Sequence, residues 1–154
     1  MNTNPNNNPG NPHSGDYGKS WKIQSPEKLA DNVKKKFFPD ETLYNDLFAL
    51  ESSIQLDKVF DQLKLMVQQY ADSVTTSQLR NVYAEIVKAE TSNDLKLIRP
   101  HVAYITARQE KDKAKEFMAF IDLLIQKVNT NNELHSFKKT MEAIVAYHRF
   151  YAKN

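Results

Sequence analysis

Glycine is confined to the start of this chain. All three glycines, Gly10, Gly15 and Gly18, lie within the first 18 of 154 residues. Tight two-residue hairpins need glycine or Asn-Gly to reach positive φ, and phosphate-binding loops need several glycines whose N–H groups close on the anion. Because no glycine follows Gly18, the rest of the chain cannot form a glycine-rich nucleotide-binding loop, and a β-rich fold is disfavoured. An all-α fold is the expectation.

Length and apolar content fit a single hydrophobic core. The chain has 40% hydrophobic residues and no cysteine, which excludes disulfides, thiolate metal sites and cysteine nucleophiles. Its apolar runs are short and interrupted by charges, and its N-terminus lacks a basic segment followed by an apolar one. This pattern predicts neither a membrane span nor a secretory signal. We therefore expect a cytoplasmic protein of one domain that does not bind membranes.

Two regions differ sharply in composition. Residues 1–22 are rich in asparagine, proline and glycine, and such a segment buries too little apolar surface to order itself, so we expect a disordered tail. Residues 23–154 are expected to form a helical bundle domain. Ser25 is a favourable N-cap and Pro26 suits the first helical position, so the first helix is predicted to begin there and to end near residues 37–39.

Apolar residues recur at helical spacing along the remaining chain. Helices are predicted over residues 54–71, from Thr75 or Thr76 to residue 88, over 101–108 after Pro100, over 114–128 and over 133–152, with weaker helical spacing in 39–53. The first two of these carry apolar stripes of Leu56, Val59, Phe60, Leu63, Val67 and Tyr70, and of Leu79, Val82, Tyr83, Ile86 and Val87. We predict one bundle of five or six antiparallel helices.

Nothing in the sequence points to catalysis, a metal or a cofactor. A di-metal site in a helical bundle uses Glu-x-x-His pairs, but Ile98, Asn132 and Val145 stand three residues before the three histidines of the domain. His148 lies on an apolar stripe, so we expect a core histidine with one hydrogen-bond partner. A serine-based triad stays open, since folding alone assembles such residues.

Charge is distributed unevenly, although the formal net charge is only +2. Residues 38–63 contain six acidic residues and one lysine, whereas residues 95–115 contain six basic and two acidic residues. Residues 134–154 add four basic residues against one glutamate. Such a dipolar surface suits polyanion binding or head-to-tail stacking of copies, and each basic cluster is equally compatible with an ordinary solvated face.

Three strings in the second half of the chain have a recognisable order and spacing. They are VTTSQLRN at residues 74–81, AYITARQ at 103–109 and EAIVAYHRFYAK at 142–153. Together they resemble the small subunit of type III-A CRISPR-Cas effector complexes, the Csm ribonucleoproteins. The resemblance implies a non-catalytic protein whose copies stack beside the backbone subunits, contact the large subunit and bind the duplex of target RNA and guide RNA. Cleavage activities in this family belong to the other subunits.

The resemblance also directs attention to basic and polar residues on helix faces. Phosphate contacts require such side chains but no sequence readout, since the guide supplies specificity by base pairing. The candidate RNA-binding residues are Ser77, Arg80, Asn81, Lys88, Arg108, Lys138, Lys139 and Arg149. For each, the alternative is a surface ion pair or a charge or cap at a helix end. Tyr147, Phe150 and Tyr151 are candidates for base stacking or for the core.

Two other functions are compatible with the sequence. In a helix-turn-helix DNA-binding protein, residues 75–88 would be the recognition helix, with Gln78, Arg80 and Asn81 reaching base edges. The usual glycine-containing turn before such a helix is missing, since residues 71–74 read ADSV. Alternatively, the acidic and basic faces would meet only other proteins, in a helical interaction module.

Overall fold

The computed structural model describes residues 24–153, which form only helices and their connections. The α-helices are α1 (Pro26–Phe37), α2 (Glu41–Asp46), α3 (Leu56–Tyr70), α4 (Thr76–Lys88), α5 (Ser92–Lys96), α6 (Arg99–Arg108), α7 (Asp112–Lys127) and α8 (Asn131–Tyr151), with a 3-10 turn at Leu50–Ser52. The predicted all-α bundle is confirmed, and six of these helices have ten or more residues. The predicted tail, residues 1–22, lies outside the described residues.

Hydroxyl and carboxylate side chains cap most of the helix N-termini. Ser25 caps α1, as predicted, and Asp40 caps α2 by accepting a hydrogen bond from the Thr42 N–H at 2.9 Å. Reciprocal capping boxes open three more helices, formed by Thr75 with Gln78, Thr91 with Asp94, and Thr130 with Glu133. No residue among 24–153 has a positive φ. The connections therefore need no glycine, which explains how the domain folds without one.

The core is organised around α7, the helix with the most buried side chains. Its eight buried residues are Ala114, Phe117, Met118, Ala119, Phe120, Ile121, Leu124 and Ile125. Helices α1 and α6 pack on α7, whereas α3 and α4 pack on α8, and α3 also contacts α7 to join the two groups. Within residues 24–153, no helix is both long and apolar enough to cross a membrane.

Two predicted stripes extend beyond the part of each helix that is buried. In α3, Leu56 is 38% exposed while Met66, which the stripe omitted, is fully buried. In α4, Val87 is 46% exposed. The physical reason is that Leu56 is the first residue of its helix, and that α4 buries only the side that faces α8, along Leu79, Val82 and Ile86.

Pro100 lies in the first turn of α6. The sequence predicts a separate helical segment over residues 101–108, and α6 is indeed separate but begins at Arg99. Pro100 occupies the first turn, where its missing N–H has no intrahelical partner in any case.

Three buried polar side chains of α8 bind the backbone of connecting segments. The Ser136 hydroxyl accepts from the Leu50 N–H at 3.2 Å, and the Thr140 hydroxyl donates to the Leu47 carbonyl at 2.7 Å. His148 is 1% exposed, and its Nε2 lies 2.7 Å from the Val74 carbonyl oxygen. The prediction of a core histidine with one partner is confirmed. These contacts hold the irregular segments before α3 and α4 against the bundle.

Replacing Phe120 with alanine is expected to destabilise the protein strongly. Phe120 is fully buried and its ring stacks on Phe38 with 6.1 Å between centroids. Removing a core phenylalanine costs about 3–5 kcal/mol of unfolding free energy, because the loss of burial and the resulting cavity add. Urea unfolding followed by circular dichroism measures the change. Phe150→Ala, at a side chain that is 78% exposed, is the control and is expected to change this free energy by less than about 0.5 kcal/mol. Equal losses for the two variants would contradict the packing described here.

Candidate nucleic-acid interface

One face of α4 carries four of the predicted RNA-binding residues. Ser77, Arg80, Asn81 and Lys88 are all exposed, on the side away from the buried Leu79, Val82 and Ile86. Among residues 24–153, none of these four side chains has a hydrogen-bond or ion-pair partner. Their polar groups are therefore available to a ligand without breaking an existing interaction.

A groove runs between α4 and α6. It has a volume of about 320 Å³ and is lined by Gln78, Asn81, His101, Tyr104, Ile105, Arg108 and Gln109. Asn81 and Arg108 were both predicted to bind RNA, and the fold brings them together although they belong to different helices. The groove is thus lined by residues from two of the three segments that carry the family resemblance, 74–81 and 103–109.

Arg108 and Tyr104 form a pair at the exposed side of α6. The Arg108 Nη1 donates to the Tyr104 hydroxyl oxygen at 3.2 Å, and the guanidinium carbon lies 5.5 Å from the centre of the ring. Tyr104 is 58% exposed. Residues four apart on a helix are neighbours, so the spacing of the two residues would have predicted this pair. A guanidinium has five N–H donors, so Arg108 keeps donors for a phosphate or a base.

His101 connects the two walls of the groove. Its Nδ1 lies 2.6 Å from a carboxylate oxygen of Glu85, so a residue of α6 binds a residue of α4. In the sequence, His101 was a candidate only for metal binding, and no local pattern predicts its contact with Glu85, 16 residues earlier. The pair links helices that otherwise pack mainly on α7 and α8.

A second depression adjoins the groove at the N-terminus of α4. It has a volume of about 450 Å³ and is lined by Asp72, Ser73, Thr75, Gln78, Arg108, Gln109, Glu110 and Lys111. Gln78, Arg108 and Gln109 line both hollows. Arg108 therefore stands at the boundary between them, with one further cation, Lys111, on the outer side.

Lys138 forms hydrogen bonds within the protein. Its ammonium donates to the carbonyl oxygens of Val87, at 3.0 Å, and Ala89, at the C-terminal end of α4. A cation at this end of a helix satisfies terminal carbonyls and complements the helix dipole. The partners lie about 50 residues away in sequence, so no local sequence pattern predicts the contact. The side chain holds α4 against α8.

Lys139 and Arg149, the other candidates on α8, differ in their surroundings. The Lys139 ammonium lies 2.9 Å from a carboxylate oxygen of Glu51, which His135 also approaches at 3.2 Å. Hydrogen bonds and charge from Lys139, followed by those from His135, lower the pKa of Glu51. Arg149 is exposed, and no ion pair to it occurs within residues 24–153. The positive charge of Lys139 is thus locally compensated, whereas that of Arg149 is not.

The aromatic residues near the end of α8 divide between core and surface. Tyr147 is half-buried and packs against the core. Phe150 is 78% exposed and touches Tyr151 edge to face, with 4.9 Å between ring centroids. The core alternative therefore does not hold for Phe150. Its position on the outer side of the last helix turn leaves the ring in solvent.

The arrangement of α3 and α4 disfavours a helix-turn-helix. In that motif the recognition helix packs on the helix before it and protrudes into the major groove. Here α3 and α4 pack mainly on α8, and Gln78 and Asn81 line a recess. The part of the chain that the structure describes also holds no group of three or more His, Asp or Glu side chains placed to bind a metal ion.

Lys138→Ala is expected to destabilise the protein more than Lys139→Ala. The first variant leaves two carbonyl groups at the end of α4 without their charged donor, which should lower the free energy of unfolding by about 1–2 kcal/mol. The second removes an exposed ion pair, for which about 0–1 kcal/mol is usual. Urea denaturation at neutral pH compares the two. If Lys138→Ala unfolds at the same midpoint as wild type, the capping role is wrong.

Comparison with known proteins identifies a family. The family model described as Csm2 Type III-A matches residues 52–154, which is more than half of the chain. The matched segment contains α3 to α8 and therefore both walls of the groove. No curated protein and no solved structure matches the chain.

Proposed function

The chain belongs to the Csm2 type III-A family and is therefore a subunit of a type III-A CRISPR effector complex, in which we propose that it acts as a non-catalytic RNA-binding protein. The observation that carries the proposal is the adjacency of Arg108 to the exposed polar face of α4, within the matched segment. Its partners are other Csm subunits, and we propose that it also binds target RNA and guide RNA.

The proposed RNA contacts are made to phosphates. Arg80 and Lys88 carry exposed charges without a partner among the described residues, so phosphate binding would break no ion pair. Arg108 offers a planar set of donors that matches phosphate oxygens. Contacts of this kind supply affinity that does not depend on sequence, and pairing with the guide supplies specificity. This division requires no base-reading helix in the subunit.

The predicted residues contribute to this proposal unequally. The surroundings of each side chain favour RNA contacts by Ser77, Arg80, Asn81, Lys88, Arg108 and Arg149. Lys138 already binds carbonyl groups of α4, and Lys139 is paired with Glu51. Contact of either lysine with RNA would break an interaction within the fold, so we leave both out of the proposed interface.

We further propose that copies of the subunit stack and dock on the backbone and large subunits of the complex. The supporting observation is the charge asymmetry of the surface. Asp40, Asp57 and Asp61 are exposed in the acidic segment, while Arg108, Lys111 and Lys113 are exposed in the basic one. Opposite charges on two segments of the chain favour a head-to-tail contact between copies, which can repeat along an assembly.

A double variant, Arg80→Ala with Arg108→Ala, is expected to weaken RNA binding. Removing two phosphate-binding side chains should lower the affinity and reduce the slope of log K against log salt by roughly 0.7 for every phosphate of a single strand that is no longer neutralised. Fluorescence anisotropy with single-stranded RNA at several salt concentrations measures both quantities on the full chain. The control is Lys58→Ala with Lys64→Ala, which removes the same net charge from exposed positions of α3.

Three results would contradict the proposed function. Equal losses of affinity for the two double variants would show that only net charge matters and that Arg80 and Arg108 form no site. A preference for duplex DNA over RNA of the same length would favour the helix-turn-helix function. Failure to bind either nucleic acid, with an intact fold by circular dichroism, would favour the protein interaction module.

A further inference from the structure

We infer that the groove between α4 and α6 holds a single unpaired nucleobase of the bound RNA strand, an inference that rests on the proposed RNA binding and goes beyond phosphate contacts. A site for phosphates alone needs cations and N–H donors. This groove has in addition an aromatic ring on one wall and side-chain amides on the other. Those are the groups that contact the face and the edge of a base.

Tyr104 supplies the stacking surface. The Tyr104 ring is 58% exposed, whereas most of the other aromatic side chains among residues 24–153 are buried. The guanidinium of Arg108 is held beside it by the hydrogen bond to the tyrosine hydroxyl. The ring and the guanidinium both line the groove, and bases stack on both kinds of group. The position of the pair is set by the regular backbone of α6.

The opposite wall supplies hydrogen bonds to the edge of the base. Asn81 has no hydrogen-bond partner among residues 24–153. The Gln78 side-chain oxygen accepts from the Thr75 N–H at 3.3 Å, so its NH₂ group is not used by that bond. Asn81 offers both a donor and an acceptor and Gln78 offers a donor, and base edges match groups of these kinds. Because the Asn81 amide can present either group, the groove is expected to accept any of the four bases.

The size of the groove selects a single base. Its volume of about 320 Å³ is at the low end of the range for small-molecule sites, roughly 300–1,000 Å³. In a duplex the faces of the bases are covered by their neighbours, so a paired base cannot stack on Tyr104. A base that is unstacked and free of its partner presents both its face and its edge. The occupant is therefore an unpaired nucleotide and not a continuous helix.

Arg108 connects this base site with the proposed phosphate contacts. It lines both the groove and the depression at the N-terminus of α4, where Lys111 is the other cation. Asp72 and Glu110 also line that depression, so its net charge is small, and Arg108 is the cation that lines both hollows. One nucleotide bound with its base in the groove would thus have its phosphate beside the same guanidinium.

The test separates the base from the phosphates. Full-chain protein is titrated by anisotropy with a single-stranded RNA and with a strand of equal length built from abasic ribose phosphates. Tyr104→Leu removes the ring but no charge, so it should weaken RNA binding by about tenfold at an unchanged salt slope. The same variant should bind the abasic strand as wild type does. Tyr104→Phe keeps the ring and should stay within about twofold of wild type on RNA.

The controls and the possible results distinguish failure of the base site from failure of the proposed RNA binding. Leu65→Ala, at an exposed apolar side chain of α3, should leave both affinities unchanged, and circular dichroism verifies that each variant is folded. If Tyr104→Leu binds RNA as wild type does while Arg80→Ala with Arg108→Ala still weakens it, the base site is wrong and the proposed function stands. If wild type binds the abasic strand and RNA equally, the base site is also wrong. If wild type binds neither strand, both proposals are wrong.

Discussion

Burial of α7 on two sides is the constraint on which the rest of the structure depends. The helix buries eight side chains, including the rings of Phe117 and Phe120, and a helix with this much apolar surface is stable only when other helices cover it. Helices α1 and α6 cover α7 and form one group with it. Helix α3 contacts α7 and thereby connects it to the second group, in which α3 and α4 pack on α8. The long helices are therefore placed by their contacts with α7 or with α8, and the two groups share one core.

The groove follows from this division of contacts. Helix α6 belongs to the group on α7 and α4 to the group on α8, and a groove lies between the two helices. Glu85 and His101 bridge the gap on one side, and Lys138 fastens the end of α4 to α8. The walls thus belong to rigid helices, while the space between them stays open. A site assembled in this way holds Asn81, Tyr104 and Arg108 in place without a flexible loop.

Local signals in the sequence predicted much of the fold because their physics acts over a few residues. Ser25 and Thr75 cap the helices that their positions indicate, and periodic apolar residues mark α7 correctly. Helix α8 begins at Asn131, two residues before its predicted start, because Thr130 caps it. Errors occurred where burial depends on a distant partner. Val87 belongs to a predicted apolar stripe but is exposed, because α4 buries only the side that faces α8. Periodicity identifies the side of a helix that can be buried, and not how wide a part of that side a partner covers.

The sequence by itself determined the all-α class, through the absence of glycine after Gly18 and the spacing of apolar residues. The same spacing predicted that His148 is buried, and three short sequence segments indicated the family. Only the tertiary structure decided which polar residues are available for binding. Lys138 and Lys139 look like Arg80 and Arg108 in the sequence, yet the first two are engaged by groups from distant segments. Which charges are neutralised depends on distances in space, and residues that are far apart along the chain set those distances only once the core has formed.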